Sequence, residues 1–493
     1  MSFLLRNVRL VGAQPNPTSL RFDAGRITAI GDLDLLDGEE CLDAEGAWAI
    51  PGLRDAHVHF AQWALRRQRL QLAGAQCVAE AAALVAQARP GFHGKLLVGT
   101  GHRPASWPQA PTTTALDAAC PDIPAALLSG DFHHAWMNSS ALALFNLPWR
   151  DDVVRETEWF RVVGALTALE DGADAAYLAA GQAAAALGVT SVDDFEFEPG
   201  FTSWPTRWAN TGIVKVRAAV YPQHLDAAID AGVHTGDTLV GSDEAPLVAM
   251  GPLKIISDGS LNTQTAYCRT PYAGTGSRGA ANYSQAELEQ LLGAAHRHGL
   301  AAAVHAIGDA AVESALRAFA ATGAAGTIEH AQLMSDELVT AWPTLAPNVA
   351  ASVQPAHLLD DRTLTHRIWP ERTDDCFPLR ALATAGVELR LGSDAPVSPL
   401  DPWLAMAAAV HRSEPGDEPW NPAQSLTTAQ ALAAATGSEL AVGQPADVAV
   451  LTANPLQDFP TTAEAAAHLR GIRAHATFVA GKRVSAGFAA GSR

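Results

Sequence analysis

Cysteine, positive charge and long apolar runs are all scarce in this chain. Its five cysteines, Cys41, Cys77, Cys120, Cys268 and Cys376, are scattered through 493 residues. They form no Cys-x-x-Cys pair and fall far short of the density of a disulfide scaffold, so they read as reduced thiols. Lysine and arginine number 33 against 52 aspartates and glutamates, a formal charge of -19. That balance argues against a nucleic-acid footprint and against an anionic membrane surface. No run is apolar enough to span a bilayer. The opening Met1-Ser2-Phe3-Leu4-Leu5 meets Arg6 too soon to hold a secretory apolar core, so the expected location is cytoplasmic.

The chain is 48% hydrophobic and 17% charged, a composition that suits a folded protein with many packed helices. Its length exceeds one ordinary core, which predicts a domain of barrel size with a smaller partner. The first fifty residues read as short strands, Leu4 to Val11, Ser19 to Phe22, Arg26 to Ile30 and Cys41 to Ile50, separated by turns. The tail repeats that texture in Ala446 to Leu451 and in Ala474 to Val484 around Gly481-Lys482. The expectation is a small β-sandwich made from residues 1-52 and 438-493, with residues 53-437 as the domain between them.

That middle alternates short apolar runs with Ala/Leu helical patterns, which predicts parallel βα units and an α/β fold. Eight candidate strands begin near Leu53, Val189, Val214, Pro252, Ala301, Thr327, Val349 and Val387, implying a (β/α)8 TIM-like barrel. The gap between the first two is too long for one crossover. An insertion over about residues 61-165 is expected to pack on the barrel mouth and shape the substrate pocket.

In such barrels the chemistry sits at the C-terminal ends of the strands. The first strand ends at His57-Val58-His59, where residues two apart share a face and can present two imidazoles to one ion. Strand four carries Lys254, strand five ends at His305, strand six at His330 and strand eight at Asp394 in Gly392-Ser393-Asp394-Ala395-Pro396. Each alone is bland; their joint placement at strand ends predicts a metal centre.

With these residues in view the chain resembles the amidohydrolase superfamily, specifically its amidohydrolase-3 or YtcJ-like branch, which includes N-substituted formamide deformylases. The resemblance rests on Pro51 to His59, Lys254 to Leu261, Val304 to Asp309, Ile328-Glu329-His330-Ala331, Ser352-Val353-Gln354-Pro355 and Leu391 to Pro399. The segment Asp131-Phe132-His133-His134-Ala135-Trp136-Met137-Asn138-Ser139 is similar to one this branch places near its active site. The resemblance implies that His57, His59 and Asp394 hold one divalent ion, zinc above all, while His305 and His330 hold a second. Lys254 would bridge them as a carbamate formed with carbon dioxide, since an ammonium has no lone pair to offer; the alternative is an unmodified lysine beside a single ion. Coordination lowers the pKa of a bound water, so a metal-bound hydroxide would attack a carbonyl polarised by an ion. Asp394 is the expected general base that later returns the proton to the leaving amine. His330 is a ligand or orients substrate, and His133 contacts the substrate's oxygen or is structural in the insertion. Asp258 orients a ligand or caps its loop. Trp107, Trp136 and Tyr267 are candidates for an apolar pocket wall or for the core.

The expected function is therefore metal-dependent hydrolysis of a C-N bond in a small amide, formamide or related carbonyl compound. A deaminase on the same barrel, with one ion and no strand-four lysine, and a non-catalytic scaffold are the competing readings. The resemblance suggests a homodimer. Three places depart from the branch: His102 follows Gly99-Thr100-Gly101 where relatives commonly have an aromatic residue, Gly164 to Glu170 matches poorly, and Val442-Gly443-Gln444-Pro445 replaces a usual Pro-Gly turn.

Overall fold

The computed structural model describes residues 2-12, 16-66, 69-167, 169 and 173-486. Ala168 and Glu170 of the departing segment lie outside the described residues, as do Met1, residues 13-15 and 67-68 and the terminal residues 487-493.

Eight parallel strands form the central sheet: Leu53–Val58, Val189–Asp194, Lys215–Val220, Ala245–Ile256, Ala302–Ala306, Gly326–His330, Val349–Val353 and Leu389–Leu391. They neighbour one another in chain order, and helices such as Gln285–Arg297 and Asp309–Thr322 fill the crossovers. Ala302–Ala306 and Val349–Val353 are buried at every position. A parallel strand covered on both faces shows no polar alternation, which is why these segments read as continuous apolar runs. Local signals set the crossovers. Ser284 and Glu287 form a reciprocal capping box that starts Gln285–Arg297, and Gly323, at φ 68°, ends Asp309–Thr322 in the left-handed conformation.

The barrel closes where the last strand meets the first. Val58 bridges Ala395 in parallel, the His59 amide donates to the Ala395 carbonyl at 2.9 Å and the Asp394 amide donates to the His57 carbonyl at 2.7 Å. Gly392 makes that approach possible, since a Cβ there would sit 2.7 Å from the backbone nitrogen and Cβ of His57.

The α/β barrel expected from the pattern is thus present, with one correction on its strands. The fourth begins at Ala245 rather than near Pro252, because its first half pairs antiparallel with Thr238–Ser242. Both termini join one further sheet, in which Trp48–Pro51 pairs antiparallel with Val448–Leu451. Its core contains Leu5, Leu20, Phe22, Val448 and Phe478. The expected strand Cys41 to Ile50 is two strands, Glu40–Asp43 and Trp48–Pro51, because the chain turns at Glu45 and Gly46, where φ is 52° and 79°. A helix, Thr462–Gly471, stands between the tail strands.

Between the first two barrel strands the chain builds a five-stranded sheet of its own, containing Leu97–His102, Ala125–Ser129 and His134–Met137. Trp107 and Trp136 are buried in the core of this insertion. They are packing residues; the Trp107 indole donates to the Ala75 carbonyl at 3.1 Å.

Candidate metal centre

Parallel register brings the predicted strand ends to one level. Ile256 lies opposite His305 and Ala306 opposite His330, so groups from distant parts of the chain meet at the barrel mouth. His57, His330 and Asp394 each offer a ligand atom, and these atoms lie within 4.8 Å of one another. His57 Nε2 is 3.4 Å from Asp394 Oδ1 and 3.4 Å from Lys254 Nζ. His59 lies just past its strand as the residue before helix Phe60–Leu65, with Nε2 3.5 Å from the same Asp394 oxygen. The His305 and His330 rings are 4.6 Å apart. All six predicted ligands therefore converge.

Two carboxylates fix two of the imidazoles. Glu329 Oε2 lies 2.7 Å from His57 Nδ1, and Asp258 Oδ1 lies 2.9 Å from His305 Nδ1. Each carboxylate accepts the Nδ1 proton, which selects the tautomer whose Nε2 lone pair faces the centre. Asp258 also accepts from the amides of Ile307 at 3.1 Å and of Gly308 and Tyr267 at 2.9 Å. Its two expected roles are thus one arrangement, with the loop held and the ligand oriented by the same carboxylate. Tyr267 serves as backbone here. Asp55 accepts from the amides of His57 at 3.1 Å and Ser393 at 2.9 Å, tying the two ends of the barrel seam together.

Nitrogens are left over. His59 Nδ1, His305 Nε2 and His330 Nδ1 are buried with no hydrogen-bond partner among the described residues. Burial, then the charge of Lys254, holds His59 down to about 3; burial likewise holds His57 and His330 well below the usual histidine value. Neutral imidazoles with unanswered lone pairs beside a carboxylate are a donor set for a divalent ion. Burial also lowers the Lys254 ammonium, against Glu329 and Asp394, which favour it. It raises the Asp394 carboxyl, against Lys254 and His133. His330 and Asp394 carry φ of 70° and 56°, left-handed backbone that non-glycine residues adopt at a cost and that clusters at functional sites.

The insertion roofs this centre. A cavity of about 50 Å³ is lined by Arg103, Asp131 and His133 from the insertion and by His330, His357 and Asp394 from the barrel. An adjoining chamber of about 30 Å³ has Phe132, Phe160, Phe197 and Tyr221 in its wall; these, rather than Trp107 or Trp136, are the aromatic residues beside the ligands. His133 Nδ1 lies 2.9 Å from Glu156 Oε2. Burial works against its proton, but the Glu156 charge and hydrogen bond raise it from 6.5 to about 9.

Sequence reasoning missed Glu156, Glu329, Asp55 and His357 as site residues. Glu329 stands beside His330 in the quoted motif, and His357 lies two residues past Pro355 of another. His357 Nε2 is 3.8 Å from Asp394 Oδ2. Nothing in the sequence joins Glu156 to His133.

The geometry has a family to go with it. A model of the amidohydrolase family matches residues 40–485. The chain belongs to that family. It is 27% identical to protein LONG AFTER FAR-RED 3 of Arabidopsis thaliana, over 95% of this chain and 88% of that protein. It is 30% identical to the putative amidohydrolase YtcJ of Bacillus subtilis over 43% of each, and 24% identical to the N-substituted formamide deformylase of Arthrobacter pascens over 91% of this chain and 93% of that one. In fold it is similar to an uncharacterized metal-dependent hydrolase from Pyrococcus horikoshii, with a TM-score of 0.76 over 93% of this chain and 99% of that chain at 24% identity. The family makes the chain a hydrolase and implies a divalent metal, which the donor set above fits.

A first expectation concerns the carboxylate behind His57. Glu329→Gln keeps the shape and loses the charge that orders the ring, so metal affinity should weaken by about 10–100-fold. Titration of metal-free protein with zinc checks it; unchanged affinity would show that Glu329 is only a packing residue.

Proposed function

We propose that this protein hydrolyses a C-N bond of a small amide, formamide or related carbonyl compound at a divalent-metal centre, with zinc as the expected ion. The observation that carries the proposal is the convergence of buried, neutral imidazoles on Asp394, with the rings of His57 and His305 each oriented by a carboxylate. The C-N class is supported by the deformylase, which aligns over almost the whole chain. His57, His59 and Asp394 would hold one ion, and His305 and His330 a second. Lys254 would serve both as a carbamate: its neutral amine forms a bond to the carbon of carbon dioxide and releases a proton, leaving an anion with two oxygens. Its 3.4 Å distance from His57 Nε2 favours this over a deaminase with one ion.

When bound, a divalent ion lowers the pKa of a coordinated water and polarises a carbonyl. The side chains do the rest. Asp394 Oδ1 faces His57 and His59, leaving Oδ2 to take the attacking water's proton and hand it to the leaving nitrogen. His133, engaged through Nδ1, has Nε2 free to donate to the substrate's oxygen. The aromatic chamber would receive an apolar substituent and exclude water. Free thiols at all five cysteines fit a reducing cytoplasm, and no described helix is long and apolar enough to cross a membrane.

The test is a panel of N-substituted formamides, other amides and esters, followed by amine release. Activity on amides that a chelator removes and zinc restores supports the proposal. Turnover confined to esters, or untouched by chelation, rejects it.

The His133 pair gives a pH prediction. Because the folded His133 value is raised, its protonated form and the ion pair's contribution are complete below about 6.5 and are lost as pH rises through about 9. The alkaline limb of kcat/KM should fall there. In Glu156→Gln only the charges of Asp131 and Asp394 still oppose burial, so that limb should move to lower pH; a limb that stays in place would remove His133 from the reaction.

A further inference from the structure

The second barrel strand, Val189–Asp194, ends beside the His57-Val58-His59 motif, with Asp194 in register with Val58. The chain runs on along the motif, since the Phe195 amide donates to the Val58 carbonyl at 2.8 Å, and its next side chains divide between two duties. Phe195 and Phe197 meet imidazoles. The Phe195 ring stands edge-on to His57 with centroids 4.6 Å apart, and Phe197 stacks on His59 at 5.5 Å with the planes 17° apart. Asp194 and Glu196, both buried, take backbone amides of the helix Phe60–Leu65 instead.

That helix has no cap of its own. His59 stands at the N-cap without a side-chain cap bond, because its ring is turned to the centre, where Nε2 lies 3.5 Å from Asp394 Oδ1. The first amides of a helix have no partner within it, and buried ones must find one elsewhere. Asp194 Oδ1 accepts from the Phe60 amide at 3.0 Å, and Glu196 Oε2 accepts from the Gln62 amide at 3.2 Å. Both carboxylates are themselves fixed, Asp194 by the Trp204 indole at 2.6 Å and Glu196 by the Phe197 amide at 3.1 Å. The His59 ring differs from those of His57 and His305 in having no carboxylate at Nδ1 among the described residues. Phe197 covers its face, and stacks in turn with Phe160 and Tyr221 at 5.2 and 4.8 Å.

We propose that Asp194, Glu196 and Phe197 are positioning residues for His59. The two carboxylates hold the backbone that leaves it, and the phenyl ring holds the imidazole plane where no carboxylate does. A ligand serves its ion only when its supports hold it to within about 0.5 Å. This role rests on the reading of His59 as a metal ligand.

Titration of metal-free protein with cobalt(II), followed by the visible absorption of the bound ion, reads the site without turnover. Glu196→Ala removes the acceptor of the Gln62 amide and should weaken affinity by about 10–100-fold and change the spectrum. Glu196→Gln keeps one oxygen for that amide and should recover most of the loss, and Phe197→Leu should weaken binding in the same direction. Neither Glu196→Ala nor Phe197→Leu should weaken further the binding that remains in a His59→Ala background, because effects that pass through one residue do not add. Losses that do add, or a Glu196→Ala protein that melts earlier yet keeps wild-type affinity and spectrum, overturn the proposal and leave the hydrolytic reading intact. Where Glu196→Ala does not fold, Phe197→Leu and its cycle with His59→Ala decide. If His59→Ala itself binds cobalt as wild type does, the ligand set proposed above falls and the positioning role falls with it.

Discussion

Asp394→Asn is expected to lower kcat/KM by about 10²–10⁴-fold, the usual contribution of a positioned general base. The substitution is isosteric. The backbone hydrogen bond from residue 394 to the His57 carbonyl, at 2.7 Å, survives it, and so does the barrel seam. What disappears is the negative charge 3.4 Å from His57 Nε2 and 3.5 Å from His59 Nε2, together with the oxygen that would carry the proton to the leaving group. Saturating zinc separates the two losses: if weaker metal binding were the whole effect, excess zinc would restore the rate. A variant that keeps wild-type kcat/KM would remove Asp394 from the proposed reaction.

Lys254 carries the other large effect. Its side chain is 1% exposed, with Nζ 4.3 Å over the Phe195 ring. Burial makes its neutral form more accessible than that of a surface lysine, which is the form carbon dioxide needs. Lys254→Met fills the same apolar slot without a nitrogen. Activity should fall on the order of 10³-fold, as the Lewis-acid contribution of a bridged ion is several kcal/mol. Lys254→Arg separates the chemistries: a guanidinium keeps the positive charge and is not expected to lose its proton or form a carbamate. Activity retained in Lys254→Arg would mean that a plain cation suffices. For wild type, protein freed of metal and bicarbonate should regain activity fully only when both return.

The periodic features were legible from the residues. Eight apolar runs spaced by helical patterns imply parallel βα units because both faces of such strands are covered, and a pattern of that kind is local. The ligand types at Lys254, His305, His330 and Asp394 were readable for the same reason, as each follows an apolar run. Glu329 was harder. Side chains alternate along a strand, so a period of two sends Glu329 and His330 to opposite faces. The left-handed backbone at His330, φ 70°, breaks that alternation and lets both serve the centre.

Other features had no local signature. Glu156 meets His133 because the insertion folds back on itself, and His357 nears Asp394 because neighbouring strands end at one level. The early start of the fourth strand depends on an antiparallel partner.

The residues by themselves determined the barrel, the sheet built from both ends and the six candidate ligand positions, since hydrophobic period and donor chemistry are properties of short segments. Tertiary structure alone decided which carboxylate orients which imidazole and which aromatic side chains wall the cavity. Those are distances between segments far apart in the chain, and strand register and closure at Gly392 set them.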